Sequence, residues 1–425
     1  MDSQEGNAPK SQIESKRVLP IVIFVALGIF AATLPQPQVL GKIPLQHLLK
    51  SELNVSPTQM SAFFLICGLF WYLKPIAGIL TDAFPLFKTR RRHYALISAT
   101  LAAISWVGLA FAPHTYNALL IACIIINLFM VMMSTVTGAV LVEIGQSTGS
   151  VGKLTAVRQF ANNLAALIQG PLGGWLATGA LGLAAGVNSA FLLSVVPATY
   201  FLLKEKPVSS KSSESLGNAR RQIGIVAKSK TFWWALLFIT MFYFAPGFST
   251  LLYFRQNDVM KLDQPHIGYL TSFGGLGGIL GAVAYGLVSR RFPLSTLLIF
   301  SIITACLATF MYLAYNSFEA AIGIDFGNGL FFGFAEVAFI DLAARATPVG
   351  CEGLGYSLIL SFRNFALFGA DFLGSVLADQ KHWSWESMVT LNGVTTGLVL
   401  ILLPLIPKAT LASKDRATMS VIPAE

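Results

Sequence analysis

The chain has 425 residues, of which 55% are hydrophobic and only 12% charged, with a mean hydropathy of +0.67 and a formal net charge of +9. Soluble domains carry about a quarter charged residues, so a water-facing surface cannot be built from this composition. A soluble multidomain enzyme, a disordered chain and a disulfide scaffold are excluded. The apolar residues fall in runs of about 18 to 25, the length at which a helix crosses a bilayer core. The composition describes an all-α polytopic membrane protein with the lipid bilayer as its surroundings.

In chain order, residues 1–18 form a polar tail, and the apolar run beginning at Leu19 lacks a cleavage site, so it reads as a retained first helix. Twelve spans are predicted: 19–40, 57–83, 93–112, 117–142, 152–177, 186–203, 231–254, 265–288, 294–315, 318–344, 352–378 and 386–407. The second opens on Ser56, Pro57 and Gln59, which supply an N-cap, a first-turn proline and a capping-box partner. The stretch 204–230 is rich in Ser, Lys and Arg and reads as a flexible linker. It separates a first half, 19–203, from a second, 231–407, and residues 408–425 form a C-tail.

The basic residues are distributed unevenly. Of the 29 Lys and Arg, 21 fall in the tails and in the loops of one parity. Five (Lys42, Lys50, Arg255, Lys261 and Lys381) fall in the opposite loops, and three (Lys74, Arg158 and Arg363) within spans. The positive-inside rule then places both termini in the cytoplasm of a plasma or inner membrane. Anionic lipid accounts for the basic excess, and nucleic acid is not needed as a partner.

Cys67, Cys123 and Cys306 lie in apolar runs and Cys351 in a short loop, without disulfide or zinc spacing. Gly274-Gly-Leu-Gly-Gly278 with Gly281 lies inside an apolar span with no strand before it, and so reads as close helix packing. No Walker lysine motif, metal-ligand cluster or catalytic triad spacing occurs. The expectation is a non-enzyme without metal or cofactor, and without ATP-driven transport.

An internal repeat organises the spans. Gly78-Ile-Leu-Thr-Asp-Ala-Phe-Pro85 ends span two, and Gly286-Leu-Val-Ser-Arg-Arg-Phe-Pro293 ends span eight. Arg158-Gln-Phe-Ala161 in span five matches Arg363-Asn-Phe-Ala366 in span eleven at nearly the same offset. Two six-span halves related as parallel repeats are the architecture of the major facilitator superfamily, whose substrate path lies between the halves.

Polar groups inside spans are costly and face the bundle interior. On span five, Arg158, Asn162 and Gln169 return to one face. Span ten carries Asp325, Asn328, Phe332 and Glu336; span eleven carries Arg363, Asn364 and Asp371; span two carries Lys74 and span four Asn127 and Ser134. Arg158 and Arg363 are expected in a central cavity. Lys74 either binds substrate or neutralises a helix end beside Pro75. Asp341 and Arg345 form an i, i+4 ion pair. Asp82 with Arg90, Arg91 and Arg92 clasps helix ends, as a gate or as a folding contact. Asp325 and Glu336 either neutralise the arginines or carry protons.

Several of these segments resemble the folate–biopterin transporter family. The residues that carry the resemblance are Leu48-Leu-Lys-Ser-Glu-Leu-Asn-Val-Ser-Pro-Thr-Gln59, Lys74-Pro75, Gly78, Thr81-Asp82, Phe84-Pro85 and Arg90-Arg-Arg-His-Tyr94. They are similar to that family's LKxxLxLSPxQ lead-in, its KPxxGxxSD stretch, and its arginine triplet followed by an aromatic residue. Pro348-Val-Gly-Cys-Glu-Gly353 with Ser361 and Asn364 agrees more weakly. Two departures stand out. Aligned on Glu143, Ser134 and Gly138 occupy positions that are aspartates in the family pattern, and Ala335-Glu336 lacks its methionine–proline. The resemblance implies a transporter, with a pterin or folate among its candidate substrates.

The leading reading is a monomeric secondary active transporter of a small organic anion, proton-coupled, working by rocking of the two halves. Arg158, Arg363 and Lys74 attract the anionic group, with Asn162, Gln169 and Asn364 as polar partners. Trp71, Phe332 and Phe334 stack a planar ring. Glu336, in the space beside Gly333 and its phenylalanines, is the preferred proton carrier, with Asp325 and Asp371 as further carboxyls. Export of amphiphilic compounds is the first alternative. A non-transporting receptor or scaffold is the second, against which the short loops and the lack of an appended soluble domain argue.

Overall fold

The computed structural model describes residues 9–148, 151–203, 205 and 212–412. Residues 1–8 of the predicted N-tail, 413–425 of the C-tail, and 204 and 206–211 of the predicted linker lie outside them. The described chain is helical throughout, with one isolated β-bridge between Leu86 and Thr89. Every predicted span is occupied by helix. Among the described residues, six helices are apolar and long enough to cross a bilayer unbroken: Arg92–Ala110, Tyr116–Glu143, Leu181–Leu202, Gln264–Val288, Leu294–Ala314 and Trp385–Leu405. The other spans are charged, broken or short, and they supply Lys74, Arg158, Asp325 and Arg363.

Four expectations about these segments are corrected. The first span ends at Thr33, because Pro35 and Pro37 cannot continue a helix, and a separate helix, Lys42–Ser51, buries Ile43, Leu45, Leu48 and Leu49 beneath one end of the bundle. The second span is three helices, Pro57–Cys67, Leu69–Tyr72 and Lys74–Ala83. Its predicted capping box is present, with Ser56 and Gln59 bonded reciprocally. Pro75 has no N–H to give the carbonyl of Trp71, and the Ser361 hydroxyl of the other half donates to that carbonyl at 3.3 Å.

The seventh span breaks after Tyr243 at Pro246-Gly247 and resumes at Ser249–Phe254. There the Gly247 amide donates to the carbonyl of Ala370 at 2.9 Å. The fourth correction concerns the linker, which holds a helix, Ser212–Lys228. Val226 is buried in the core of the second half, and the Gln222 amide donates to the carbonyl of Gly350 at 3.0 Å. A bend of 77° at Ser229, whose side chain caps Phe232, leads from it into span seven. Its Ser, Lys and Arg suggest flexibility, but one helical face meets protein.

Each half has its own core, around Phe63, Met60 and Trp106 in the first and Phe232, Phe238 and Phe339 in the second. Spans eight and ten approach closely through the glycine cluster, as expected: a Cβ on Gly281 would lie 1.9 Å from the carbonyl oxygen of Leu330. Spans five and eight join the halves in the same manner, since a Cβ on Gly170 would lie 2.2 Å from the carbonyl oxygen of Gly268. At the end carrying Lys42, Lys50 and Arg255 the halves are pinned together. Lys50 pairs with Asp258, Lys42 donates to Ser249 at 3.1 Å, and Thr58 donates to the carbonyl of Ser375 at 3.3 Å. Toward the arginine loops the halves border a cavity.

Candidate transport site

That inner cavity has a volume of about 410 Å³ and is lined by both halves: Lys74, Ser134, Arg158 and Asn162 from the first, Glu352, Tyr356 and Leu360 from the second, and Gln222 from the linker helix. It falls within the ~300–1,000 Å³ usual for small-molecule sites. The break at Leu73 sets Lys74 at the start of its helix, where its ammonium donates to the Ser134 hydroxyl at 3.0 Å and lies 5.3 Å from the centre of the Trp71 ring. Trp71 is held in turn by its indole N–H on Asn127, at 2.7 Å. It supports Lys74 and does not line the cavity.

Arg158 is only partly buried and has no hydrogen-bond or ion-pair partner among the described residues. One turn on, Asn162 accepts from the Thr33 hydroxyl at 3.0 Å. The acidic residues of this cavity are committed elsewhere. Arg91 donates to Asp82 at 2.5 Å and to Glu143 at 2.6 Å, and to Thr81 at 3.2 Å. Burial alone would lower the pKa of the Arg91 guanidinium; Glu143 and Asp82 outweigh it and push the value up. Glu352 accepts the Gly350 amide at 2.9 Å. That leaves Lys74 and Arg158 with no bonded carboxylate among the described residues.

The clasp is therefore narrower than the sequence suggests. Arg91 alone reaches Asp82, and Glu143 is its second anchor. Arg90 and Arg92 serve through their backbone: the N–H groups of Arg90, Arg91 and Arg92 all donate to Glu205, at 2.8 to 3.0 Å, a nest of successive amides closed on a carboxylate. The guanidinium of Arg92 lies on the Tyr200 ring and donates to its carbonyl. Glu205 sits in a stretch read as linker, so nothing in its local sequence marks the role. Asp341 and Arg345 pair as expected, at 2.7 Å, with the Tyr285 hydroxyl on the same carboxylate.

Arg363 departs from expectation, since it lines neither of the two polar cavities. Its guanidinium pairs with Glu336 at 2.7 Å, donates to Asn364 at 3.1 Å and covers the Tyr243 ring at 4.7 Å. The Tyr243 hydroxyl donates to Glu336 at 2.5 Å. The apolar space expected around Glu336 is thus replaced by a polar cluster, and Gly333 instead packs against the backbone of Gly278. Tyr356, from the same span as Arg363, lines the inner cavity together with Arg158. Phe334 is buried against Tyr285 and Phe300 and lines neither of the two polar cavities.

The remaining predicted residues gather in a second, outer cavity of about 320 Å³ near the pinned end, lined by Lys42, Gln169, Asp325, Asn328 and Phe332 among others. Asp325 accepts the hydroxyls of Tyr312 and Tyr315 at 2.9 and 2.7 Å. Asp371 lines neither polar cavity; it accepts the amide and hydroxyl of Thr250 and anchors the restart of span seven. The span-five stripe runs from one cavity to the other, with Arg158 and Asn162 in the inner and Gln169 in the outer.

Two helical halves, a cavity between them and charged residues committed to its lining define a membrane transporter of the major facilitator fold. Among solved structures the chain is similar to the D-xylose-proton symporter, with a TM-score of 0.68 at 13% identity over 94% of this chain and 99% of that one. It is also similar to the nucleoside transporter NupG, with a TM-score of 0.62 at 13% identity over 93% and 98%. The particular family follows from sequence: residues 38–422 match the model of the BT1 family, and the chain belongs to it. Relatives include a "Folate-biopterin transporter" of Synechocystis sp., 24% identical over 405 residues (89% of this chain and 80% of the relative). "Folate transporter 1" of Plasmodium falciparum is 24% identical over 367 residues, 81% and 71% of the two chains.

Proposed function

We propose that the protein is a monomeric secondary active transporter that moves a small organic anion of the folate or pterin kind, with both termini in the cytoplasm of a plasma or inner membrane, and that it does no covalent chemistry. The observation that carries this reading is the pair Lys74 and Arg158 in one cavity between the halves, with no carboxylate bonded to either among the described residues. Two cations in a low-dielectric setting need an anion, and a substrate carboxylate supplies it with charge-assisted hydrogen bonds. The names of the relatives support the folate or pterin class.

Coupling to protons follows from the Glu336–Arg363 pair. A proton on Glu336 removes the ion pair and leaves the Arg363 guanidinium to turn toward Tyr356, and so toward the anion held by Arg158. Loss of that proton restores the pair and releases the substrate. The outer end is pinned and the inner cavity lies toward the arginine loops, the side that the positive-inside rule assigns to the cytoplasm. Uptake into sealed proteoliposomes of folate, pterins and simpler organic anions, with and without a pH gradient, tests the reading. Gradient-driven accumulation that is abolished in Lys74→Gln and Arg158→Gln is the expected result. Flux indifferent to both substitutions overturns it.

A further inference from the structure

The outer cavity differs in chemistry from the inner one. Its lining is dominated by neutral amides around one carboxylate: Gln38, Gln46, Gln169, Asn328 and Asp325, with Phe332 beside them. Several of these groups are unsatisfied. Gln46 is 3% exposed, and its amide nitrogen has no partner; both amide atoms of Gln38 are buried and unpaired as well. Native proteins rarely leave buried polar atoms in this state, because each costs about 1–3 kcal/mol. Three such atoms around one cavity indicate that something else completes them.

Asp325 fixes the complementary chemistry. It is 7% exposed, and no Lys or Arg pairs with it among the described residues. Each carboxylate oxygen accepts one tyrosine hydroxyl, and a carboxylate oxygen has two acceptor sites, so each keeps one open. Gln256 donates to the Tyr315 hydroxyl at 2.7 Å and so holds that tyrosine in place. Two parallel open acceptors match two parallel N–H donors, as on an N–C–NH₂ edge. The unpaired amides offer both donors and acceptors for the ring carbonyl and ring nitrogens. Phe332 is 37% exposed and presents a ring for a planar face. The one cation in the lining, Lys42, is bonded to Ser249.

We propose that this outer cavity is a second ligand subsite, separate from the Lys74–Arg158 cavity, that takes an uncharged planar heterocycle through an N–C–NH₂ edge on Asp325. The subsite depends on the chain being a carrier of organic solutes, but not on the inner cavity binding the anion. The test uses the full chain in nanodiscs and three probes, with binding followed by calorimetry. Pterin carries the edge without an acid group. Lumazine is the same bicycle with an oxygen in place of the amino group. p-Aminobenzoylglutamate carries acid groups without the bicycle.

Pterin is expected to bind at least tenfold more tightly than lumazine, since a buried hydrogen-bonding group left unpaired by the wrong ligand discriminates strongly. Asp325→Asn is expected to weaken pterin about ten- to a hundredfold. Gln46→Leu, which needs no charge change and should fold if Asp325→Asn does not, weakens it as well. Lys74→Gln and Arg158→Gln are expected to remove p-aminobenzoylglutamate binding, which reads the inner cavity on its own. Equal affinity for pterin and lumazine, no pterin binding, or pterin binding untouched by Asp325→Asn and Gln46→Leu overturns the subsite. Failure of p-aminobenzoylglutamate alone to bind overturns the anion reading of the inner cavity and leaves the subsite standing.

Discussion

Glu336 and Arg363 sit 27 residues apart on neighbouring spans and close an ion pair at 2.7 Å inside the second half, with Tyr243 bonded to the same carboxylate and stacked under the same guanidinium. Its repeat counterpart, Arg158, has no such acid among the described residues. The pseudo-symmetry of the fold thus yields one neutralised arginine and one unneutralised one. On the proposed function, this asymmetry gives proton handling to the second half and anion attraction to the first.

Glu336→Gln should therefore separate coupling from binding. The neutral side chain mimics the protonated acid and keeps Arg363 permanently released. Accumulation driven by a pH gradient should disappear, while exchange of labelled for unlabelled substrate across the membrane persists. If this variant still concentrates substrate in response to pH, Glu336 serves only to hold Arg363 in place.

The departure from the family pattern at Ser134 gives a second expectation. Lys74 meets a neutral hydroxyl there, so its charge is left for the substrate. Ser134→Asp would supply a counter-ion at hydrogen-bond range and compete with the anion. Apparent affinity should fall by roughly tenfold or more, the scale of a charge-assisted hydrogen bond. Ser134→Ala should leave affinity nearly unchanged. Equal behaviour of the two variants, measured as KM for uptake, would show that Lys74 does not contact the substrate.

Much of this was legible in the sequence, and what was not has physical reasons. The all-helical fold, the glycine packing of spans eight and ten, and the Asp341–Arg345 pair follow from periodicity and spacing, because each depends on neighbours within one helix or on a repeated pattern. The spacing of Arg158, Asn162 and Gln169 predicts one helical face. Which cavity each would meet depends on packing between halves, and so it was hidden. The partners of Arg363 were hidden for the same reason: Tyr243 lies 93 residues from Glu336 and carries no local signal. Glu205 closes on three arginine amides more than a hundred residues away. The linker helix escaped notice because its composition is polar, and only the burial of Val226 shows that one face meets protein.

Glycine contacts predict a contrast in stability. A side chain at Gly281 would collide with the backbone of Leu330, whereas a Cβ at Gly286, five residues further along the same span, meets nothing within 4 Å. Gly281→Val should separate spans eight and ten and destabilise the second half by about 1–3 kcal/mol or more. Gly286→Ala should be neutral or slightly stabilising, since it favours the helix. Thermal unfolding of the detergent-solubilised protein distinguishes them. Equal melting temperatures would mean that the two helices are not in backbone contact.

Orientation in the membrane can be read from two positions at opposite ends of the bundle. Asn218 is exposed on the linker helix, on the side of the arginine loops, and Lys261 is exposed beside the pinned end. Of the native cysteines, Cys67, Cys123 and Cys351 are buried and Cys306 is half-buried, so background labelling should be low. With 21 of 29 basic residues on one side, the positive-inside rule puts that side in the cytoplasm. Asn218→Cys should then react with a membrane-impermeant maleimide only after the cells are opened, and Lys261→Cys in intact cells. Labelling of both from the same side would refute the twelve-span topology. Reversal of the two would keep the topology and invert the protein, making the cavity between Lys74 and Arg158 open to the outside.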